Sequence, residues 1–454
     1  MHDDVSAITR ELSEYIAGTL RRELPEEVIA KAKLHVLDTL AAMLSGSRLK
    51  PGQLAAAYVG RLGGTPEATV IGTRILTSAV NAAHANGMMG HADETDDSHL
   101  AGRFHPGCGI VPAALAIAEQ ADRGGTDLIK AVALGYDIGA RLALALGYRR
   151  SDTARHSTHS LGTLFGAASA AAALLCLSAK EVRYVLSYAA QQASGIPFWS
   201  RDHEHVEKAF DFGGMGARNG VQAATMVAAG FTAVEDPLSG KHNLFTALGE
   251  EPAPDRLTAG LGARFEIMRA SIKKWCVGSP IQAALDALTL LMAEHGMRAG
   301  DVRKIVVQMP DDRLHIVDNR EIPDICLQHL LALTLADGAL TFASAHDYAR
   351  MADPAVLAVR RRIEVVPSAE LTAAVPARQA IVEIETASGQ RLCHRSYAVR
   401  GTPDNPMEAA EVENKALDLM APVIGKERAA ELVTAIAALD RLASVRELRG
   451  LLQA

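Results

Sequence analysis

The chain has 454 residues, 49% of them apolar and only 4% aromatic, with a formal net charge of -7. That length allows two or three domains around a sizeable core, and alanine-rich, aromatic-poor composition favours closely packed helices over a sheet sandwich. The acidic balance argues against a nucleic-acid binder, which normally shows a basic excess or stripe, and leaves room for a small anionic ligand held by local cations.

The N-terminal stretch MHDDVSAITRELSEYI is acidic and amphipathic, and it predicts no export signal because it has no basic segment followed by an apolar run. From Pro25 to Leu44 the chain opens with proline and two glutamates and repeats apolar residues at three and four spacing, the pattern of an amphipathic helix. Further helices are expected from Thr77, Val111 and Thr126, and from Ser178, where Ser178 and Glu181 have capping-box spacing. Leu161 to Ala179 is uncharged but rich in Ala, Gly and Ser, so it reads as a buried helix rather than a membrane span. These helices share no repeat period, which disfavours a solenoid.

Between Gly90 and Gly107 one loop, GHADETDDSHLAGRFHPG, holds three histidines, four acidic residues and an arginine. Function concentrates on loops carried by rigid scaffolds, and imidazole grouped with carboxylate suits proton transfer or metal ligation. Some of Asp93, Asp96, Asp97, His91 and His99 are expected instead to cap helices or pair with Arg103.

Near Ala263 the character changes. ARFEIMRASIKKW and VRKIVVQMP cluster β-branched residues as strands do, with a helix IQAALDALTLLMAEHG between them. Ala380 to Glu385 and Arg391 to Val399 read as a hairpin, and helix returns after the PDNP break that follows Thr402. The expected fold is mainly α: a large all-helical domain, residues 1–264 completed by 402–454, interrupted by a smaller α+β domain at 265–401. Cys108, Cys176, Cys276, Cys326 and Cys393 are scattered and form no CxxC pair, which predicts neither disulfides nor a cysteine zinc site and fits a reducing cytoplasm.

Read together, HADETDDSH followed by HPG and VPAALAIAE, then ALGYDIGARL, HSTHSLGTLFGAASAAAALL, IKKW and GTPDNPM resemble the MmgE/PrpD family over essentially the whole chain. That family includes dehydratases of the 2-methylcitrate type, decarboxylases of the cis-aconitate type and epimerases of the iminodisuccinate type. The resemblance implies an all-helical domain with an α+β lid, a homodimer, and chemistry on a small di- or tricarboxylate with no metal or organic cofactor. Such reactions build negative charge on carbon beside a carboxylate, so they need cations for the carboxylates and a positioned acid or base for the proton.

On that resemblance Glu94 and Ser98 match acidic and hydroxylic site positions, His105 matches a site histidine, and His156 matches a second one and is the first choice for general acid or base. His159, one turn on, is either its partner or a spectator. Lys208 and Lys273 match the family's lysine positions and are candidates to bind a substrate carboxylate as point charges, with Arg103 as a third cation, and Lys274 leaves the second assignment open to a one-residue slip. The run GGMGARNG lets backbone approach either a ligand or another helix. Asp211 and Gln282 stand where some relatives carry histidine, and His329 stands where some carry a lid tyrosine, so the substrate is less securely inherited than the scaffold. Dehydration is the favoured reaction as the family's commonest label, with decarboxylation or epimerisation as the alternative. Two other classes compete: a metal-dependent hydrolase using His91, Asp93, Asp96, Asp97, His99 and the His346–Asp347 pair, and a helical binding protein without chemistry.

Overall fold

The computed structural model describes residues 5–148 and 156–454. Two compact units divide the chain: Met1–Ala270 with Val412–Ala454, and Ser271–Glu411. The fold is mainly α, with a small mixed sheet in the second unit.

The first unit runs through α1 (Ala7–Gly18), α2 (Glu26–Gly46) and α3 (Lys50–Leu62), then a short hairpin of β1 (Ala68–Thr69) and β2 (Leu76–Thr77). It continues through α4 (Ala79–Gly90), α5 (Pro106–Gln120), α6 (Gly125–Leu146), α7 (Thr158–Leu174) and α8 (Ala179–Gln191). A short helix α9 (Val206–Ala209) leads through a π-helical turn, Phe210–Gly214, into α10 (Met215–Ala228). The predicted starts hold physically: Glu26 and Glu27 lie in the first turn of α2 after Pro25, and Ser178 and Glu181 form a reciprocal capping box on α8.

α7 explains the apolar, alanine-rich run: it is buried along its length and packs against α5, α6, α8 and α10. Helices approach this closely only where side chains are small. A Cβ on Gly166 would lie 2.6 Å from the Gly135 carbonyl oxygen of α6. Among the described residues no helix is long and apolar enough to cross a membrane.

The second unit has a four-stranded sheet in the order β4 (Ile363–Ser368), β3 (Val302–Pro310), β5 (Ala380–Thr386), β6 (Arg391–Ser396). β3 runs parallel to β4 with Val307 opposite Val365, and antiparallel to β5 with Val307 opposite Val382. β5 and β6 form the expected hairpin, with Gly389 at a φ of 87° in its turn. Leu285, Leu288 and Leu291 of the helix Gln282–His295 join Ile305, Val307, Val382 and Ile384 in one core, with Leu330 and Leu331 of the helix Leu327–Asp337.

One strand expectation needs correction. The segment from Ala263 to Trp275 is not a strand; it makes a 3-10 turn at Glu266–Arg269. Its backbone is claimed by α6 side chains: Glu266 N–H donates to Asp137 Oδ1 (3.0 Å), and the Arg264 carbonyl accepts from Arg141 Nη2 (2.9 Å). Conversely β4 was not anticipated. It is a short edge strand containing Pro367, the position in a sheet where proline is tolerated.

Candidate active site

The polar loop between α4 and α5 is buried rather than solvated: His91, Asp96 and Asp97 are each 0% exposed. Every acidic side chain in it has an assigned contact. Asp93 turns back on Thr95, accepting from its N–H and its hydroxyl at 2.8 Å each. Asp97 anchors the loop to the helices: Oδ1 accepts from Gly107 N–H at the start of α5 (2.8 Å), while Oδ2 meets Tyr136 Oη of α6 (2.6 Å) and His35 Nδ1 of α2 (2.7 Å). Lys415, buried on the helix Ala409–Ile424, donates to Asp38 Oδ1 (2.6 Å) and to the Thr95 carbonyl (3.0 Å), holding the loop from below. His99 receives the Gly102 N–H on Nδ1 (2.9 Å) and meets Glu266 with Nε2 (3.2 Å).

Above this scaffold Asp96 bridges two imidazoles. Its Oδ2 lies 2.9 Å from His91 Nδ1 and its Oδ1 lies 3.0 Å from His105 Nδ1. A carboxylate accepts only, so each ring donates Nδ1–H and keeps Nε2 as its lone-pair nitrogen when neutral. Lys208, on α9, pairs with Glu94 of the loop. Phe212, in the π-helical turn after α9, is the floor: His159 stacks on it at 3.7 Å, His91 at 4.3 Å, and Trp199 meets it edge-on at 4.8 Å. The Lys208 ammonium lies 5.3 Å from the Phe212 ring centre and 5.7 Å from that of Trp199, within cation–π range. π-bulges of this kind are frequent at functional sites. This one is wedged tightly, since a Cβ on Gly213 would lie 2.1 Å from the Gly87 carbonyl oxygen of α4. At that position the glycine run serves helix packing.

Burial, with Lys208 and His91 nearby, pushes His205 down to about 3. Burial, together with His105 and His91, pushes His159 well below its ordinary value. Both rings are therefore neutral near pH 7. Burial raises the Asp211 carboxyl to about 7, against the opposing effect of the Ser157 hydroxyl, which donates to it at 2.5 Å.

The structure therefore brings Glu94, His105 and Lys208 together, with Ser98 buried in the same loop. Arg103 adopts a φ of 53°, and its carbonyl accepts from Thr158 Oγ1 at the head of α7 (2.6 Å). His156 is half-buried just before α7 and has no ring contact among the described residues, whereas the His159 ring lies 5.5 Å from that of His105. Lys273, Gln282 and His329 belong to the second unit. Lys273 is buried there, and Gln282 ties down the turn beyond it by donating to the carbonyls of Trp275 (2.8 Å) and Val277 (3.0 Å). His329 is wholly buried with both ring nitrogens unpartnered among the described residues, and burial lowers it to about 4. His346 and Asp347 act locally, on the Phe342 carbonyl and the Ala349 N–H, and do not gather a ligand set among the described residues.

Sequence reasoning passed over His205, Trp199 and Phe212. A signal existed for His205, three residues before a lysine already singled out. None existed for the two aromatic rings, because an isolated Trp or Phe reads as core.

The chain matches the MmgE/PrpD N-terminal domain over residues 10–257 and the MmgE/PrpD C-terminal domain over residues 275–441. It is similar to a cis-aconitate decarboxylase of Aspergillus terreus, 24% identical over 98% of this chain and 96% of that protein. A cis-aconitate decarboxylase-like protein of Aspergillus oryzae is 26% identical over 67% of this chain and 66% of its own length. A human cis-aconitate decarboxylase is 29% identical over 50% of this chain and 47% of its own. With both domain models matched in order along nearly its whole length, the chain belongs to the MmgE/PrpD family.

Proposed function

We propose that the protein is a lyase acting on a small di- or tricarboxylate, and that decarboxylation of the cis-aconitate type is its reaction. The observation that carries this reading is the Asp96-bridged pair of imidazoles beside the Lys208 ammonium, in a chain whose relatives are named for that decarboxylation. Those names favour decarboxylation over the dehydration that the family's commonest label suggested.

Loss of CO2 leaves an electron pair on carbon. A neighbouring carboxylate delocalises it when a cation holds that carboxylate, and a positioned acid then delivers a proton to carbon. In this reading Lys208, Arg103 and Lys273 bind carboxylates, Glu94 and Ser98 orient the ligand, and His105 with His156 handles the proton. His159 and His329 are the auxiliary imidazoles, and Gln282 acts through the turn it holds. Neither a metal nor an organic cofactor is part of the scheme. The protein is taken to act in the cytoplasm as a homodimer, with sedimentation as the check on assembly.

The test is NMR in deuterated buffer with cis-aconitate, 2-methylcitrate and iminodisuccinate. Release of CO2 from cis-aconitate with deuterium on the product carbon supports the reading. Water loss from 2-methylcitrate alone would make the protein a dehydratase, and exchange without loss of either group an epimerase.

A further inference from the structure

Two sets of three side chains around the loop have potential donor atoms all within 4.8 Å of one another: His91, Asp96 and His105, and His91, Glu94 and His205. They differ chemically. In the first set the atoms already satisfy one another, since both Asp96 oxygens face an Nδ1. In the second, Nε2 of His91 and Nε2 of His205 are buried with no hydrogen-bond partner among the described residues. A buried polar atom left this way is costly unless something binds it.

The surroundings suit a cation. His91 is wholly buried, and its Nδ1 is held by Asp96. This is the carboxylate–histidine arrangement that fixes a ring so that the opposite nitrogen can ligate a metal. His205 holds a φ of 58° at the entry to α9, an uncommon conformation for a non-glycine residue. Two imidazole nitrogens and one carboxylate oxygen are the three-ligand set of open zinc sites, whereas magnesium and calcium prefer oxygen alone. Tetrahedral zinc spaces its ligands about 3.3 Å apart, so modest side-chain rotation closes the group.

We propose that His91 Nε2, His205 Nε2 and a Glu94 carboxylate oxygen bind a divalent cation of the Zn2+ class, and that this cation is inhibitory because it occupies Glu94, which orients the ligand. The inhibitory part rests on the orienting role proposed above for Glu94; the binding part does not. The Lys208 ammonium, paired with Glu94, is the metal's direct competitor.

The experiment is titration of the full-length protein with Zn2+ against a chromogenic chelator, for wild type, His205→Asn and Lys208→Met. Asparagine tolerates the left-handed backbone that position 205 requires. Expected are one tight equivalent in wild type, at least tenfold weaker binding in His205→Asn, and at least tenfold tighter binding in Lys208→Met. Because an unfolded chain would expose its five cysteines and sixteen histidines to zinc, the gain counts only in a Lys208→Met protein that melts like wild type and binds one equivalent; with that control the second variant keeps the test sharp if the first is unstable. Equal affinity in wild type and Lys208→Met, or more than one equivalent undiminished in a folded His205→Asn protein, overturns the site. Stoichiometric binding that leaves turnover of an identified substrate unchanged overturns the inhibition alone. Absence of turnover on every carboxylate tested counts against the lyase reading without touching the binding result.

Discussion

His105 makes the sharpest prediction about single residues, because its Nδ1 is fixed by Asp96 and its ring faces His159. His105→Ala should lower kcat on the identified substrate by about 10²–10⁴-fold, the usual worth of a positioned acid or base, as measured by steady-state kinetics with melting curves as the control for folding. His329 makes a different prediction, about stability and pH. Its folded value of about 4 lies below the ordinary 6.5, so between those limits the unfolded chain binds a proton that the native ring refuses. Stability from this group is thus complete above pH 6.5 and is lost as pH falls toward 4, by about 3 kcal/mol. Urea denaturation across that window should show His329→Leu losing less stability on acidification than wild type. At this scale the loop was legible, since three histidines among four acids stand out in any reading. The partners were not. Asp97 meets His35 from 62 positions away, and no local pattern announces that.

At the level of elements, local rules worked where the backbone satisfied itself. The capping box of α8 reads directly from Ser178 and Glu181, and Ser178→Ala should cost about 1 kcal/mol in chemical denaturation. The π-helical turn is the opposite case, because its shape follows from contact rather than propensity. Gly213→Ala would press a methyl onto the Gly87 carbonyl, so we expect a loss of about 1–3 kcal/mol and a disturbed Lys208–Glu94 pair, read from denaturation and substrate KM together. The strand expected at Ala263–Trp275 failed for a related reason. Asp137 and Arg141 engage backbone groups that a sheet would have needed, and that claim comes from a helix more than a hundred residues earlier. β4 escaped notice because a six-residue edge strand with a proline carries little periodic signal.

Across the whole molecule, Lys415 shows how the end of the chain stabilises a loop near its start. It is buried against Asp38, whose carboxyl burial raises to about 6 despite the lysine beside it. Lys415→Met would leave that carboxylate buried and unpaired, so the variant should lose about 3–5 kcal/mol, and adding Asp38→Asn should recover part of it. Urea melts of the two variants and the double mutant measure the coupling. The sequence by itself determined the helical class, the interruption by an α+β segment and the residue types of the candidate site, because periodicity, capping and composition act over short range. Only the tertiary structure decided that one carboxylate serves two histidines, that Phe212 carries two imidazole rings, and that Lys415 holds the loop from below. Those arrangements depend on helices far apart in the chain meeting at small residues, and a pairing made by packing leaves no trace in the order of residues on either side of it.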